Sequence, residues 1–168
     1  MTRNGMRAAV AGAVLCVLTL ASAARAETPE EWVALGTRVH GFFGGFIPAG
    51  IRIGLDALDR LHAKPRELSV LYYEGPTAPC PCIVDGVMLA VGASPGQGTV
   101  KIADEKAPAG DLAVIVVTHR KTGQSVRYTV SDAWLPRMLA WNKDTPLQRY
   151  QEAMAAQGLY TVEAGPKP

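Results

Sequence analysis

Leu112-Ala113-Val114-Ile115-Val116-Val117 is the stretch on which the fold reading turns. Six apolar residues, four of them β-branched, follow one another without alternation. Such a run reads as a strand buried on both faces rather than one wet on one side. It predicts a central strand from Leu112 to Thr118. A second strand, Gln124 to Val130, returns beside it through Arg120-Lys121-Thr122-Gly123, a hairpin turn carrying glycine. Upstream, Glu67 to Glu74 holds Val70, Leu71, Tyr72 and Tyr73 and reads as a further strand. Thr99 to Ala103 reads as another.

The segments between and around these strands read as helices. Thr28-Pro29-Glu30-Glu31 supplies a capping hydroxyl, a first-turn proline and acids for the positive helix end, so a helix runs to Val39. His40-Gly41-Phe42-Phe43-Gly44-Gly45-Phe46 breaks it. Ile51, Leu55, Leu58 and Leu61 recur at helical spacing, giving a buried helix over 48–62 with Asp56 and Arg60 paired on its wet side. Gly75 to Pro81 is a loop with three prolines. Ile83 to Val91 suits helix or strand by hydrophobicity; Asp85, Met88, Leu89 and the preceding prolines favour helix. Ala133 to Trp141 and Leu147 to Gln157 close the chain as helices, with Gly158 as a stop. The tail over 164–168 is expected to be loose. The order predicts an α+β fold, a small mostly antiparallel sheet packed with helices, in one domain over 27–163.

The chain has 168 residues, 48% hydrophobic and 19% charged, which excludes a disordered chain, and three cysteines are too few for a disulfide scaffold. Residues 1–26 read as an export signal. Arg3 and Arg7 precede the uncharged run from Ala8 to Leu20, too short to span a bilayer, and Ala24-Arg25-Ala26 fits a cleavage site before Glu27. Removal leaves fourteen basic and fifteen acidic residues, a net charge of −1, and no stable membrane anchor. No basic patch accompanies Tyr72, Tyr73, Trp134 and Trp141, so they read as core or interface residues, and no nucleic-acid partner is expected. The expected compartment is oxidising, a bacterial periplasm.

Chemistry concentrates in Pro79-Cys80-Pro81-Cys82-Ile83-Val84-Asp85-Gly86. Two thiols one residue apart stand at a helix start, where free N–H groups and the macrodipole favour thiolate. Thiolates bind soft metals, and zinc or copper is the expected ion; they are also the nucleophiles of disulfide exchange. A structural disulfide between Cys80 and Cys82 is a third reading, though so small a ring adds little stability. His40, at the glycine-rich bend, is the candidate third ligand. Asp85 and Met88 are candidate supporting residues. His62 and His119 read as surface residues. Gly92-Ala93-Ser94-Pro95-Gly96-Gln97-Gly98 is a tight loop, either an anion or ligand cradle through Gly92, Ser94, Gly96, Gln97 and Gly98 or a plain turn.

Several of these segments, in order, resemble the formylmethanofuran dehydrogenase E-type domain family. His40-Gly41, with Gly50, Arg52 and Gly54 opening a helix, is similar to the family's His-Gly-His-Leu-Cys-Pro-Gly stretch and its glycine-arginine-glycine helix. Cys82-Ile83-Val84-Asp85-Gly86 resembles its Cys-x-x-Asp-Ala/Gly segment. Gly92 to Thr99 resembles its glycine loop, and Thr122 to Arg127 its hairpin. The resemblance spans about residues 36–131. It implies an α+β domain, often self-associating, with a metal held by His and Cys, and places His40 and Cys82 at ligand-type positions. Phe42 and Gly44 stand where the family has a second His and a Cys; Ala93 and Gln97 replace a loop Cys and Lys. The formylmethanofuran activity is not expected of an exported chain. The expectation is an exported, non-catalytic protein binding a soft metal or metal-containing cofactor, with a homodimer as a further possibility. A thiol-redox protein and an interaction module whose site has degenerated are the alternatives.

Overall fold

The computed structural model describes residues 27–166; the expected export signal lies outside them. The elements are α1 (Pro29–His40), α2 (Phe46–Arg60), β1 (Leu68–Glu74), α3 (Ile83–Val91), β2 (Val100–Ile102), β3 (Asp111–His119), β4 (Ser125–Ser131), α4 (Leu135–Ala140), α5 (Pro146–Ala155) and β5 (Thr161–Ala164). The fold is α+β. Its sheet has the order β2-β1-β3-β4-β5, which puts the Leu112–Val117 run in the middle strand. Three of the four pairings are antiparallel; β1 and β2 are parallel, joined through α3. A parallel pair needs such a crossover, and α3 supplies it.

The termini of α1 and α5 follow the sequence closely. Thr28 and Thr145 each accept a hydrogen bond from the backbone three residues on, and Glu31 and Gln148 reach back to complete capping boxes. Gly41 ends α1 in the left-handed region at φ 87°, a conformation open to glycine at little cost.

The helices cover one face of the sheet. Val70 and Tyr72 of β1, Ile115 and Val117 of β3, and Tyr128 and Val130 of β4 meet Ile53, Ala57, Val84, Val87, Met138 and Ala153 in the main core. A second cluster, Trp32, Phe43, Ile47, Ile51 and Ala90, lies between α1, α2 and α3. Residues 112–117 are all buried, but helices cover only one side of β3; Val114 and Val116 point away from them and belong to neither cluster. The run is thus a central strand buried on both faces, as its sequence predicts, with helices on one of them.

The helices α2 and α3 pack at backbone contact. A Cβ on Gly50 would stand 2.1 Å from the Ile83 carbonyl oxygen, and one on Gly86 would stand 2.1 Å from that of Ile47. The two backbones therefore touch through facing glycines. Further along, Gly54 faces the Ala90 side chain.

The last strand, β5, was not anticipated. Its residues pair with β4 from Val126 to Thr129, and beyond it the Gly165 N–H donates to the Ser125 carbonyl. Ala164 to Pro166, expected to be loose, are hydrogen-bonded to β4.

Candidate functional site

The site forms at the carboxyl end of β1, where the chain turns through the proline-rich loop into α3. Open α/β sheets commonly place ligands in this position, beside a helix N-terminus. Cys82 is the residue capping α3, in helical conformation and without a side-chain capping bond. The Val84 N–H donates to the Pro81 carbonyl at 3.0 Å, which tightens the entry to the helix. Cys80 and Cys82 are both part-exposed and are joined as a disulfide. Of the three readings of the pair, this is the bridged one; in this state neither sulfur is a thiolate. Both cysteines pack against the main core, and Cys82 also touches the second cluster.

His40 reaches this same helix turn. It is the last residue of α1, and Gly41 turns the chain away immediately after it. Its Nδ1 lies 2.7 Å from Asp85 Oδ2, with the two side chains 25% and 31% exposed. Asp85 sits in the first turn of α3, three residues after Cys82, so its carboxylate also suits the positive helix end. An Nδ1–H donated to a carboxylate leaves the lone pair on Nε2, the nitrogen facing away from Asp85.

The Phe42-Phe43-Gly44-Gly45 turn beyond His40 is fixed from α5. Arg149 is buried, and its guanidinium donates to the carbonyls of Trp141 (3.0 Å), Phe43 (2.7 Å) and Asn142 (2.8 Å). The exposed Phe42 ring covers it at 4.8 Å. Asn142 Oδ1 in turn accepts from the Gly45 N–H at 3.0 Å. Nothing in the local sequence around Arg149 marks it as the anchor of a turn a hundred residues away.

Met88 does not join the sulfurs. With Val84, Asp85, Pro95, Val100, Lys101 and Ile102 it lines a cleft of about 310 Å³ between α3 and β2. Pro95 brings the glycine loop to this cleft. The loop itself is closed on its own atoms. The N–H groups of Gln97 and Thr99 donate to the Ser94 carbonyl, that of Gly98 to Pro95, and that of Ser94 to Thr99 Oγ1. Few donors remain for an anion, and the plain-turn reading describes it. His62 is exposed as expected. His119 is not: it is 8% exposed, and its Nδ1 accepts from the Lys121 N–H at 3.1 Å. Tyr72 and Trp141 are core residues, as read.

A family model described as FmdE, Molybdenum formylmethanofuran dehydrogenase operon, matches residues 39–164. The chain belongs to the FmdE family. No curated protein matches it. The matched span begins just before His40 and includes the disulfide, Asp85 and the whole sheet. At the positions where the resemblance carries a second His and two Cys, this FmdE domain has Phe42, Gly44 and Ala93. Phe42 covers Arg149, a Cβ on Gly44 would meet the Phe42 ring and Asn142 at 3.2–3.3 Å, and Ala93 is buried. Among the described residues, no group of three or more His, Cys, Asp or Glu side chains is arranged to hold a metal ion. With its sulfurs bridged, the site does not fit a metal.

Proposed function

We propose that this domain is an exported, non-catalytic protein that binds a soft transition-metal ion, zinc or copper, or a metal-containing cofactor, only after the Cys80–Cys82 disulfide is reduced. The observation that carries the reading is the 2.7 Å contact of His40 Nδ1 with Asp85 on the helix turn begun by Cys82. A carboxylate fixing one ring nitrogen is the usual support of a metal-ligating histidine, and it frees Nε2 as the donor. Reduction adds two thiolates at a helix N-terminus, the environment that favours the anionic form. Cys80, Cys82 and His40 would then hold the ion, with Asp85 orienting the ring. Bound, the ion would supply affinity for a further soft or anionic ligand.

The test compares the purified protein before and after anaerobic reduction, titrated with Zn²⁺ or Cu⁺. The reduced form is expected to bind about one ion per chain and the bridged form none. Cys82→Ser and His40→Ala weaken binding, and Asp85→Asn weakens it by about tenfold to a hundredfold, the usual effect of losing a supporting partner. A reduced protein that binds neither metal overturns the reading.

The disulfide itself favours a second reading, thiol–disulfide exchange. An external dithiol would attack one sulfur, the other would leave as a thiolate stabilised by the α3 N-terminus, and the dithiol would end oxidised. Alkylation before and after dithiol treatment tests it: a pair that never becomes alkylatable excludes exchange, and excludes the metal site with it.

A further inference from the structure

The face of the sheet turned away from the helices carries a site of its own. Strand register brings Lys101, Leu71, Val116 and Arg127 into one row across β2, β1, β3 and β4, with Ser69 opposite Thr118 in the next. None of these residues belongs to either apolar cluster. A cleft of about 370 Å³ opens on this face, lined by Ser69, Val70, Leu71, Lys101, Val116 and Thr118, together with Gly98 and Pro166. Its apolar floor is Leu71 and Val116. Its one charged side chain is Lys101, which makes no ion pair among the described residues, and no acidic residue lines the cleft. Residues 27–168 carry one more acidic than basic residue, so a cleft whose only charge is positive is not a sample of a basic surface.

We propose that this cleft binds a small amphipathic organic anion, a carboxylate carrying a short apolar chain. The Lys101 ammonium pairs with the carboxylate. The Thr118 hydroxyl donates to one of its oxygens. The Ser69 hydroxyl, which in this structure donates to the Thr118 carbonyl at 3.4 Å, must turn to reach the other. The chain lies over Leu71 and Val116. Each element is held by paired backbone rather than by a loop, so little ordering accompanies binding. The cleft's volume sits at the small end for ligand pockets, which suits a molecule of this size. The inference is independent of the metal reading, because the disulfide stays closed and no metal is present throughout the test.

The experiment follows amide shifts of the oxidised, metal-free protein titrated with hexanoate, hexan-1-ol and acetate. Hexanoate is expected to bind near 1 mM, an affinity of about the order a small ligand attains. The shifts should centre on Ser69, Leu71, Lys101, Val116 and Thr118. Hexanol and acetate, each lacking one half of the recognition, should bind at least about fivefold more weakly. Lys101→Met should cost hexanoate about three- to fivefold, the worth of a part-exposed ion pair, and leave hexanol unchanged. Lys101 is exposed, so the variant should fold, and Lys101→Arg should retain binding. No saturable shift, shifts centred elsewhere, acetate equal to hexanoate, or hexanoate indifferent to Lys101→Met would each overturn the proposal.

Discussion

Gly50→Ala separates two physical effects of opposite sign. Gly50 lies inside α2, where alanine is favoured over glycine by about 1 kcal/mol on intrinsic propensity. Propensity alone therefore predicts a more stable protein. The structure predicts the reverse. The added Cβ would stand 2.1 Å from the Ile83 carbonyl oxygen and 2.9 Å from both the Gly86 Cα and the Val87 nitrogen, all of them backbone. No side chain can swing aside, so α2 and α3 must separate by about 1 Å to restore contact near 3 Å. Overpacking of this kind costs about 1–3 kcal/mol, and more where the obstruction is rigid. Because every obstructing atom is backbone, the cost lies at the upper end, about 3 kcal/mol, and subtraction of the propensity gain leaves a net loss of about 2 kcal/mol. Urea unfolding followed by circular dichroism measures it, as a lower midpoint with an unchanged slope. Gly96→Ala, with no heavy atom within 4 Å of its added Cβ, is the control and should change little. A Gly50→Ala protein as stable as the parent would refute the claim that these two helices are held at backbone contact. The substitution should also disturb His40–Asp85, since α3 carries Asp85 on its first turn.

Three further outcomes follow from buried polar groups. Arg149→Ala should cost about 3–5 kcal/mol by urea unfolding, because it takes the guanidinium donor from the Phe43 and Asn142 carbonyls, leaves the Trp141 carbonyl with the Asp144 N–H alone, and opens a cavity beneath Phe42. Tyr72→Phe should be neutral or stabilising by up to about 1 kcal/mol, since the Tyr72 hydroxyl is buried with no partner; a loss above that in the same assay would mean the hydroxyl is satisfied. Stability should also fall at alkaline pH. Burial raises the pKa of Tyr72 above the usual tyrosine value of 10, and burial followed by the Asp56 hydrogen bond and charge raises that of Tyr128. Above pH 10 the unfolded chain has lost protons that the folded one keeps, so each tyrosine's contribution is whole below pH 10 and declines as pH rises through the folded value. The decline is up to about 1.4 kcal/mol per pH unit per tyrosine. Urea midpoints between about pH 9 and 11 should show a shallower fall in Tyr128→Phe than in the parent.

The sequence exposes those parts of the fold that depend on local chemistry. The Leu112–Val117 run reads as a middle strand because only a strand flanked on both sides tolerates unbroken apolar residues. The α1 and α5 starts read directly because capping boxes are contiguous in sequence. The strand β5 was hidden because Thr161-Val162-Glu163-Ala164 has a single large apolar residue, and its conformation comes from the free edge of β4 rather than from its own pattern. That β3 is buried on both faces is legible in its unbroken run, but which face the helices take is not, because a strand buried by its neighbours' side chains and one buried by helices leave the same hydrophobic signature. His119 was misplaced for a related reason: a hairpin end usually faces water, but here the Lys121 N–H folds back onto the ring. Within the site, Cys82, Asp85 and His40 were legible as chemistry, but the bridged state of the cysteines was one of several open readings. That Asp85 holds His40 depends on the approach of α1 to α3 across forty-five positions, which no local pattern encodes.

The departures from the family pattern also have a structural use, and it constrains how the site can work. Phe42 and Gly44 occupy positions where the resemblance places ligands, yet here they belong to the anchorage of the His40 turn. Phe42 shields Arg149, and Arg149 holds the carbonyl of Phe43, the next residue in the chain. Gly44 lies against Asn142, which fixes the Gly45 N–H. The turn is thus pinned by the side chains of Arg149 on α5 and of Asn142 ahead of it, and His40 is left as the one imidazole it presents to α3. On the proposed metal reading, Cys80 would add a second sulfur beside Cys82 in place of the donors that the resemblance puts in the turn. A site built this way depends on the oxidation state of two neighbouring residues, because removing the sulfurs by bridging them leaves an imidazole and a carboxylate that already satisfy each other. On that reading, the dependence makes reduction, rather than metal concentration, the step that sets loading.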